Sequence, residues 1–89
     1  TEQQKAERMH IMGRYYRFSK AITADQAGEI EREMKALTVV KDVEVIEDNT
    51  LLKVEAPEDK YQEVMGQAVN ICKRKADDAE LRFAGFVLA

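Results

Sequence analysis

Apolar and polar residues follow two different periods along the chain, and the period changes from one segment to the next. From Arg14 to Ile22 the sequence alternates so that Tyr16, Phe18 and Ile22 share one side, and only Lys20 interrupts this inward series near its end. Alternation of this kind, enriched in aromatic side chains, is typical of a strand in a sheet with one buried face. The segment therefore predicts a first strand.

The following segment has the three- and four-residue period of a helix. Thr23 stands three residues before Gln26, which is the spacing of a capping box: the hydroxyl accepts from the Gln26 N–H, and the Gln26 side chain accepts from the Thr23 N–H. The residues behind this cap predict an amphipathic helix with one buried stripe. The stripe consists of Ala27, Ile30, Met34 and Leu37.

The second half of the chain predicts a hairpin, a second helix and a last strand. The β-branched run Val39–Glu47 and the strand-like run Thr50–Glu55 are joined by the turn-forming pair Asp48-Asn49. Pro57 is a helix-start signal. Glu80–Val87 then alternates around Leu81 and Phe83 as the fourth strand. The stripe of the second helix consists of Tyr61, Val64, Met65, Ala68, Ile71 and Cys72.

The predicted order is β-α-β-β-α-β, which defines the α+β class. Two crossover units of this kind give a ferredoxin-like sandwich, in which a four-stranded antiparallel sheet carries both helices on one face. We expect residues 14–89 to form this domain and residues 1–13 to form a flexible N-terminal arm, because the arm is polar and ends at Gly13.

Composition narrows the classes of function. The chain has 89 residues, of which 45% are hydrophobic and 35% charged, as expected for one globular domain. A net charge of −3 argues against a nucleic-acid binder that relies on bulk positive charge. Cys72 is the single cysteine, so one chain can form neither a disulfide nor a multi-cysteine metal site. We expect a cytoplasmic protein without a membrane span.

The strand before Ile22, the helix built on Ile30 and Met34, and the run Val40–Val45 together resemble the heavy-metal-associated domain. This family occurs in copper chaperones and at the N-termini of metal-pumping P-type ATPases. The resemblance covers roughly residues 14–86. It implies a ferredoxin-like fold and an association with metal transport. In the family, the first loop carries a C-x-x-C pair whose thiolates bind the metal.

The position that matches this cysteine pair holds no thiol in this chain. It is occupied by Thr23, Ala24, Asp25 and Gln26, so the resemblance implies a degenerate member without the family's soft Cu(I) site. We interpret Thr23 and Gln26 as a helix cap, because hydroxyl and amide oxygens are poor ligands for transition metals. We predict no cofactor and no bound metal.

An alternative is a metal carrier that uses other ligands. Met9, His10 and Met12 place two thioethers and an imidazole within four residues of the arm, and Asp25 offers one carboxylate. Cys72 lies on the apolar stripe of the second helix, and we interpret it as a buried core residue rather than a reactive thiol.

The sheet face away from the helices is the candidate binding surface. RNA-recognition domains share this topology, but they stack bases on aromatic residues of the two central strands, and the run Thr50–Glu55 has none. We therefore predict no nucleic-acid binding. We predict contact with a protein, because Tyr15, Ile46 and Leu51 would otherwise be exposed together. The expected interface consists of Tyr15, Arg17, Ile46, Leu51, Lys53 and Arg82.

These observations predict a non-catalytic binding or regulatory module that contacts a protein, and the resemblance implies that this contact lies in or beside a metal-transport system. Besides the metal carrier, a small-molecule sensor of the ACT type is a further alternative. An enzyme is not expected, because the sequence shows neither a nucleophile–base pair nor a pair of matched acids. Self-association through the exposed sheet face or the edge strands is also expected.

Overall fold

The computed structural model describes residues 11–88, which form one antiparallel sheet and two helices. The elements follow one another in the predicted order, and a short 3-10 turn, Glu58–Lys60, precedes the second helix. The strands and helices are β1 (Ile11–Phe18), α1 (Ala24–Lys35), β2 (Asp42–Ile46), β3 (Leu51–Glu55), α2 (Tyr61–Lys75) and β4 (Leu81–Leu88).

The four strands lie in the order β2-β3-β1-β4, and all three pairings are antiparallel. Consecutive strands β2 and β3 form the predicted hairpin. Strand β1 lies between β3 and β4 and pairs with both. This topology confirms the predicted α+β ferredoxin-like fold. Strands β2 and β4 are the two edges of the sheet.

The core lies between the sheet and the two helices. The predicted stripe residues Ile30 and Met34 of α1 are completely buried, as are Leu52 and Val54 of β3 and Val64 of α2. The two helices also contact each other. Their outer surfaces are joined by ion pairs, in which Arg74 of α2 donates to Glu33 of α1 at 2.9 Å.

Strand β1 begins three residues earlier than the sequence pattern indicates. Ile11, Met12 and Gly13, which we assigned to the arm, belong to the sheet; the rest of the predicted arm lies outside the described residues. The close approach of β1 and β3 explains why position 13 is a glycine: a Cβ atom here would lie 2.5 Å from the Val54 carbonyl oxygen. The strand ends at Phe18 rather than Ile22, although Ile22 is buried as predicted.

The hairpin between β2 and β3 turns through three residues in the left-handed region. Glu47, Asp48 and Asn49 have φ angles of 55°, 54° and 65°. Asp and Asn tolerate this region better than most residues, which explains why the predicted turn falls here. Within residues 11–88, neither helix has the length and apolar character that crossing a membrane requires.

Candidate functional site

The loop that would carry the family's metal-binding cysteines is a helix cap. The Thr23 hydroxyl accepts from the Gln26 N–H at 3.1 Å, and the Gln26 Oε1 accepts from the Thr23 N–H at 2.8 Å, which confirms the predicted capping box. Gln26 Nε2 also donates to Asp77 Oδ2 at 3.2 Å. The polar side chains of Thr23 and Gln26 therefore cap the N-terminus of α1, and Gln26 also holds the loop before β4.

The other candidate metal ligands are not brought together in the part of the chain that the structure describes. Asp25 is exposed in the first turn of α1, and Met12 lies in β1. Met9 and His10 lie outside the described residues. Within residues 11–88, no three His, Cys, Asp or Glu side chains are grouped so that they could hold a metal ion.

Cys72 is completely buried on α2, as the apolar stripe predicted. Burial raises the pKa of its thiol to about 11, because the low-dielectric core disfavours the thiolate. Since the thiolate is the nucleophile and the metal ligand, this side chain is unreactive in the folded protein.

The structure places all six predicted interface residues on the sheet face away from the helices, which we call the open face. Two rows of residues run across the strands. In the first row Leu51 pairs with both Ile46 and Arg17, and Arg17 pairs with Arg82. In the second row Lys53 pairs with Glu44 and Tyr15. Pairing brings these residues together; their role in binding remains a prediction.

The open face is electrostatically uneven. Arg17 and Arg82 stand directly opposite each other, and within residues 11–88 neither forms an ion pair. Like charges at opposite positions of a strand pair destabilise the sheet. Lys53, in contrast, lies 4.0 Å from a Glu55 carboxylate oxygen. The uncompensated positive charge is therefore concentrated where β1 meets β4.

A second surface was not predicted from the sequence. The alternation around Leu81 and Phe83 predicts that Phe83 faces the helices, and this residue does so, opposite Tyr16. It is nevertheless 53% exposed, because β4 packs mainly against β1 and not under a helix. Phe86 and Leu88 are 45% and 55% exposed. We call this surface the β4 edge and define it by Phe83, Phe86 and Leu88.

Aromatic contacts connect the β4 edge to the core. The Phe83 ring lies edge-on to Tyr16 at 6.0 Å and to Phe86 at 4.9 Å between centroids. The Arg14 guanidinium lies 4.3 Å from the centre of the Tyr61 ring and 5.8 Å from that of Phe86. A cation over an aromatic face is attracted by the ring quadrupole, so Arg14 orients Phe86 against the domain.

Comparisons with protein-family models, with curated proteins and with solved structures find no match for this chain. Its class is therefore defined by the structure itself: an α+β domain of ferredoxin-like topology with a capped first loop, a buried thiol and a mixed apolar and cationic open face.

Proposed function

We propose that this domain is a non-catalytic binding module that contacts a protein partner through the open face. The single observation that carries the proposal is the cross-strand pair of Arg17 and Arg82, which lacks an acidic partner within residues 11–88. A carboxylate on a partner would relieve the repulsion between the two guanidinium groups and form charge-assisted hydrogen bonds with both.

Apolar side chains beside the arginines support a protein partner rather than a small anion. Leu51 and Ile46 continue the row of the two arginines, and Tyr15 lies in the next row; all three are partly exposed. Arg and Tyr are enriched at protein interfaces, where the ring and the guanidinium bury area while they keep hydrogen bonds. The partner that fits is a protein surface with carboxylates beside an apolar patch.

The resemblance to the heavy-metal-associated family supplies the setting of the proposal. A cytoplasmic component of a metal-transport system, including the soluble domains of a transporter, is the class of partner that this resemblance favours. The capped loop supports the same function, because Thr23 and Gln26 use their side chains to stabilise α1. On this proposal the module binds a protein through the open face, whereas the family that it resembles binds a metal at the first loop.

Affinity capture from a lysate of the source organism tests the proposal. The bait is the full chain, compared with Arg17→Glu/Arg82→Glu and with Lys35→Glu/Lys73→Glu, in which the same charge change falls on exposed residues of the helices. Capture is run at about 0.15 M and about 0.5 M salt, because exposed charges are screened at high ionic strength.

We expect one partner that the wild type and the helix variant retain, and that the open-face variant and high salt release. A partner retained equally by all three baits would overturn the open face as the binding surface. A captured protein with no surplus of acidic residues on its contact surface would overturn the electrostatic argument.

A further inference from the structure

We infer that two copies of this chain associate by antiparallel pairing of β4 with β4, which joins their two sheets into one. Strand β4 is a sheet edge of eight residues, and within residues 11–88 no strand lies beside its outer side. It carries one charged residue, Arg82, and no proline. Natural edge strands are usually shortened, charged or covered, because a long apolar edge invites another strand.

A bulge in β4 makes the strand complementary to itself. Tyr15 and Tyr16 pair with Gly85 and Phe83, so Ala84 is an extra residue between them. The bulge is accommodated by Gly85, whose φ of 148° is a conformation that other residues rarely adopt. Leu81, Phe83 and Phe86 consequently face the helices, opposite Phe18, Tyr16 and Arg14. Leu88, two residues after Phe86, shares that side, while Arg82 and Val87 share the open face.

A two-fold axis between Ala84 and Gly85 pairs each residue of β4 with a residue of the second copy that lies on the same side of the joined sheet. It opposes Phe83 to Phe86 of the second copy, and Leu81 to Leu88, with all four residues on the helix side. It opposes Arg82 to Val87 on the open face. In a strand without the bulge, positions 83 and 86 would point to opposite sides, and this full-length register would be mismatched. The edge therefore fits a second copy of itself over all eight residues.

The side chains opposed in this register include exposed apolar residues of both copies. A groove lies between α2 and the start of β4, and its lining consists of the apolar Val69, Ala79 and Leu81 and the charged Lys73, Asp78 and Glu80. The register brings the half-exposed Leu88 of the second copy beside that groove. The two Phe83–Phe86 pairs meet at the axis and extend the edge-to-face stack that begins at Tyr16. Because the two copies are related by a two-fold axis, each copy supplies one Leu88 and one groove, and the same contact forms at both ends of the junction.

Repulsion between the two copies of Arg82 does not oppose the association. The two copies of Arg82 lie five positions apart along the ladder, roughly 16 Å at the rise of an extended strand. This separation exceeds the screening length of about 8 Å at physiological ionic strength. The arginines thus remain available on the open face of each copy, so that the dimer presents two open faces side by side.

The area involved indicates a weak dimer. A phenylalanine buries about 150–250 Å² when fully enclosed, so half-exposed Phe83 and Phe86 with Leu88 contribute about 300 Å² per copy. Two copies and the paired backbone reach about 1,000 Å², the lower limit of specific interfaces. We expect a dissociation constant of about 100 μM or weaker, so that the chain is monomeric at a few micromolar.

Sedimentation of the full chain from about 5 μM to about 1 mM, a range that spans weak dissociation constants, tests the inference. We expect the mass to rise with concentration from one chain to two. In Phe83→Lys/Phe86→Lys the mass should stay at one chain, while Glu44→Lys, which makes the same change of net charge on the opposite edge strand, should dimerise like the wild type. Thermal unfolding followed by circular dichroism establishes that each variant is folded.

The register is tested separately with Arg82→Cys/Val87→Cys, because opposed residues of antiparallel strands lie within disulfide distance. Mild oxidation should link two chains in the double variant and far less in either single variant, and buried Cys72 should not react. A monomer at every concentration would overturn the inference and leave the edge to a strand of a different protein. A dimer that survives the Phe83 and Phe86 changes, or equal crosslinking in the single variants, would overturn it as well.

Discussion

The two edges of the sheet are protected to very different degrees. Strand β2 has five residues, two of which, Asp42 and Glu44, are exposed acids, and α1 packs against it. Its Val45 N–H donates to Glu31 Oε2 of α1 at 2.7 Å. Strand β4 has eight residues, and its exposed side chains include Phe83 and Phe86.

The comparison shows that a helix protects a sheet edge in two ways at once. It covers the apolar side chains of the strand, and it supplies a carboxylate that occupies a backbone donor which a foreign strand would otherwise use. On the β4 side neither device is present within the described residues. The fold therefore directs association to one edge and away from the other.

The largest expected effect distinguishes the buried core under the helices from the exposed β4 edge. Met34→Ala removes a completely buried α1 side chain and should lower the free energy of unfolding by about 2–5 kcal/mol. Phe83→Ala should lower it by no more than about 1 kcal/mol, because half of the ring is exposed already. Urea unfolding at a few micromolar protein, where pairing of copies does not contribute, gives both values. Equal decreases in the free energy of unfolding would show that the core and the β4 edge are packed equally tightly.

The next effect is the loss of the device that closes the β2 edge. Glu31→Ala leaves the partly buried Val45 N–H without an acceptor and should destabilise the fold by roughly 1–2 kcal/mol. Glu31→Gln keeps an oxygen at the same position and is the matched control. We expect hydrogen exchange at the Val45 amide to speed up in the alanine variant and to change little in the glutamine variant.

Exposure of the β2 edge should also change how the protein associates. In Glu31→Ala, sedimentation should detect species larger than two chains, because two open edges per copy permit continued strand addition. If Glu31→Ala associates no further than the wild type while its Val45 amide exchanges rapidly, the hydrogen bond stabilises the fold without protecting the edge.

The fold and the open face could be predicted because their signals are local or periodic. The capping box is a four-residue pattern, and alternation in β1 and β3 assigns Tyr15, Arg17 and Lys53 to one side without knowledge of the partner strands. The register of the β2–β3 hairpin then follows from this hydrophobic pattern and from the short turn. These features need no information about which helix covers which strand.

The β4 edge could not be predicted in the same way. Strict alternation assigns Phe83 and Phe86 to opposite sides, whereas the bulge at Ala84 places them together. A Phe-Ala-Gly-Phe spacing of three around a glycine was the available signal, since glycine inside a strand often marks a bulge. The exposure of these rings and the contact of Glu31 with Val45 depend on where the helices settle, and sequence periodicity carries no information on that.

The smallest expected effect concerns the ion pair between Glu33 of α1 and Arg74 of α2. The hydrogen bond from Arg74 lowers the pKa of Glu33, and the nearby charges of Arg74 and Lys75 act in the same direction against partial desolvation. A carboxyl whose folded pKa lies below its unfolded value adds stability above the unfolded pKa of about 4.5 and loses it as the pH falls through the folded pKa.

Glu33→Gln should therefore flatten the acid side of the stability profile below about pH 4.5, with a small change because the pair is exposed to solvent. Glu63→Gln is the matched control, since this exposed carboxylate of α2 forms no ion pair within residues 11–88. Thermal unfolding from about pH 2 to pH 7 measures both profiles. If the two variants flatten the profile equally, Glu33 adds net charge but no specific link between α1 and α2.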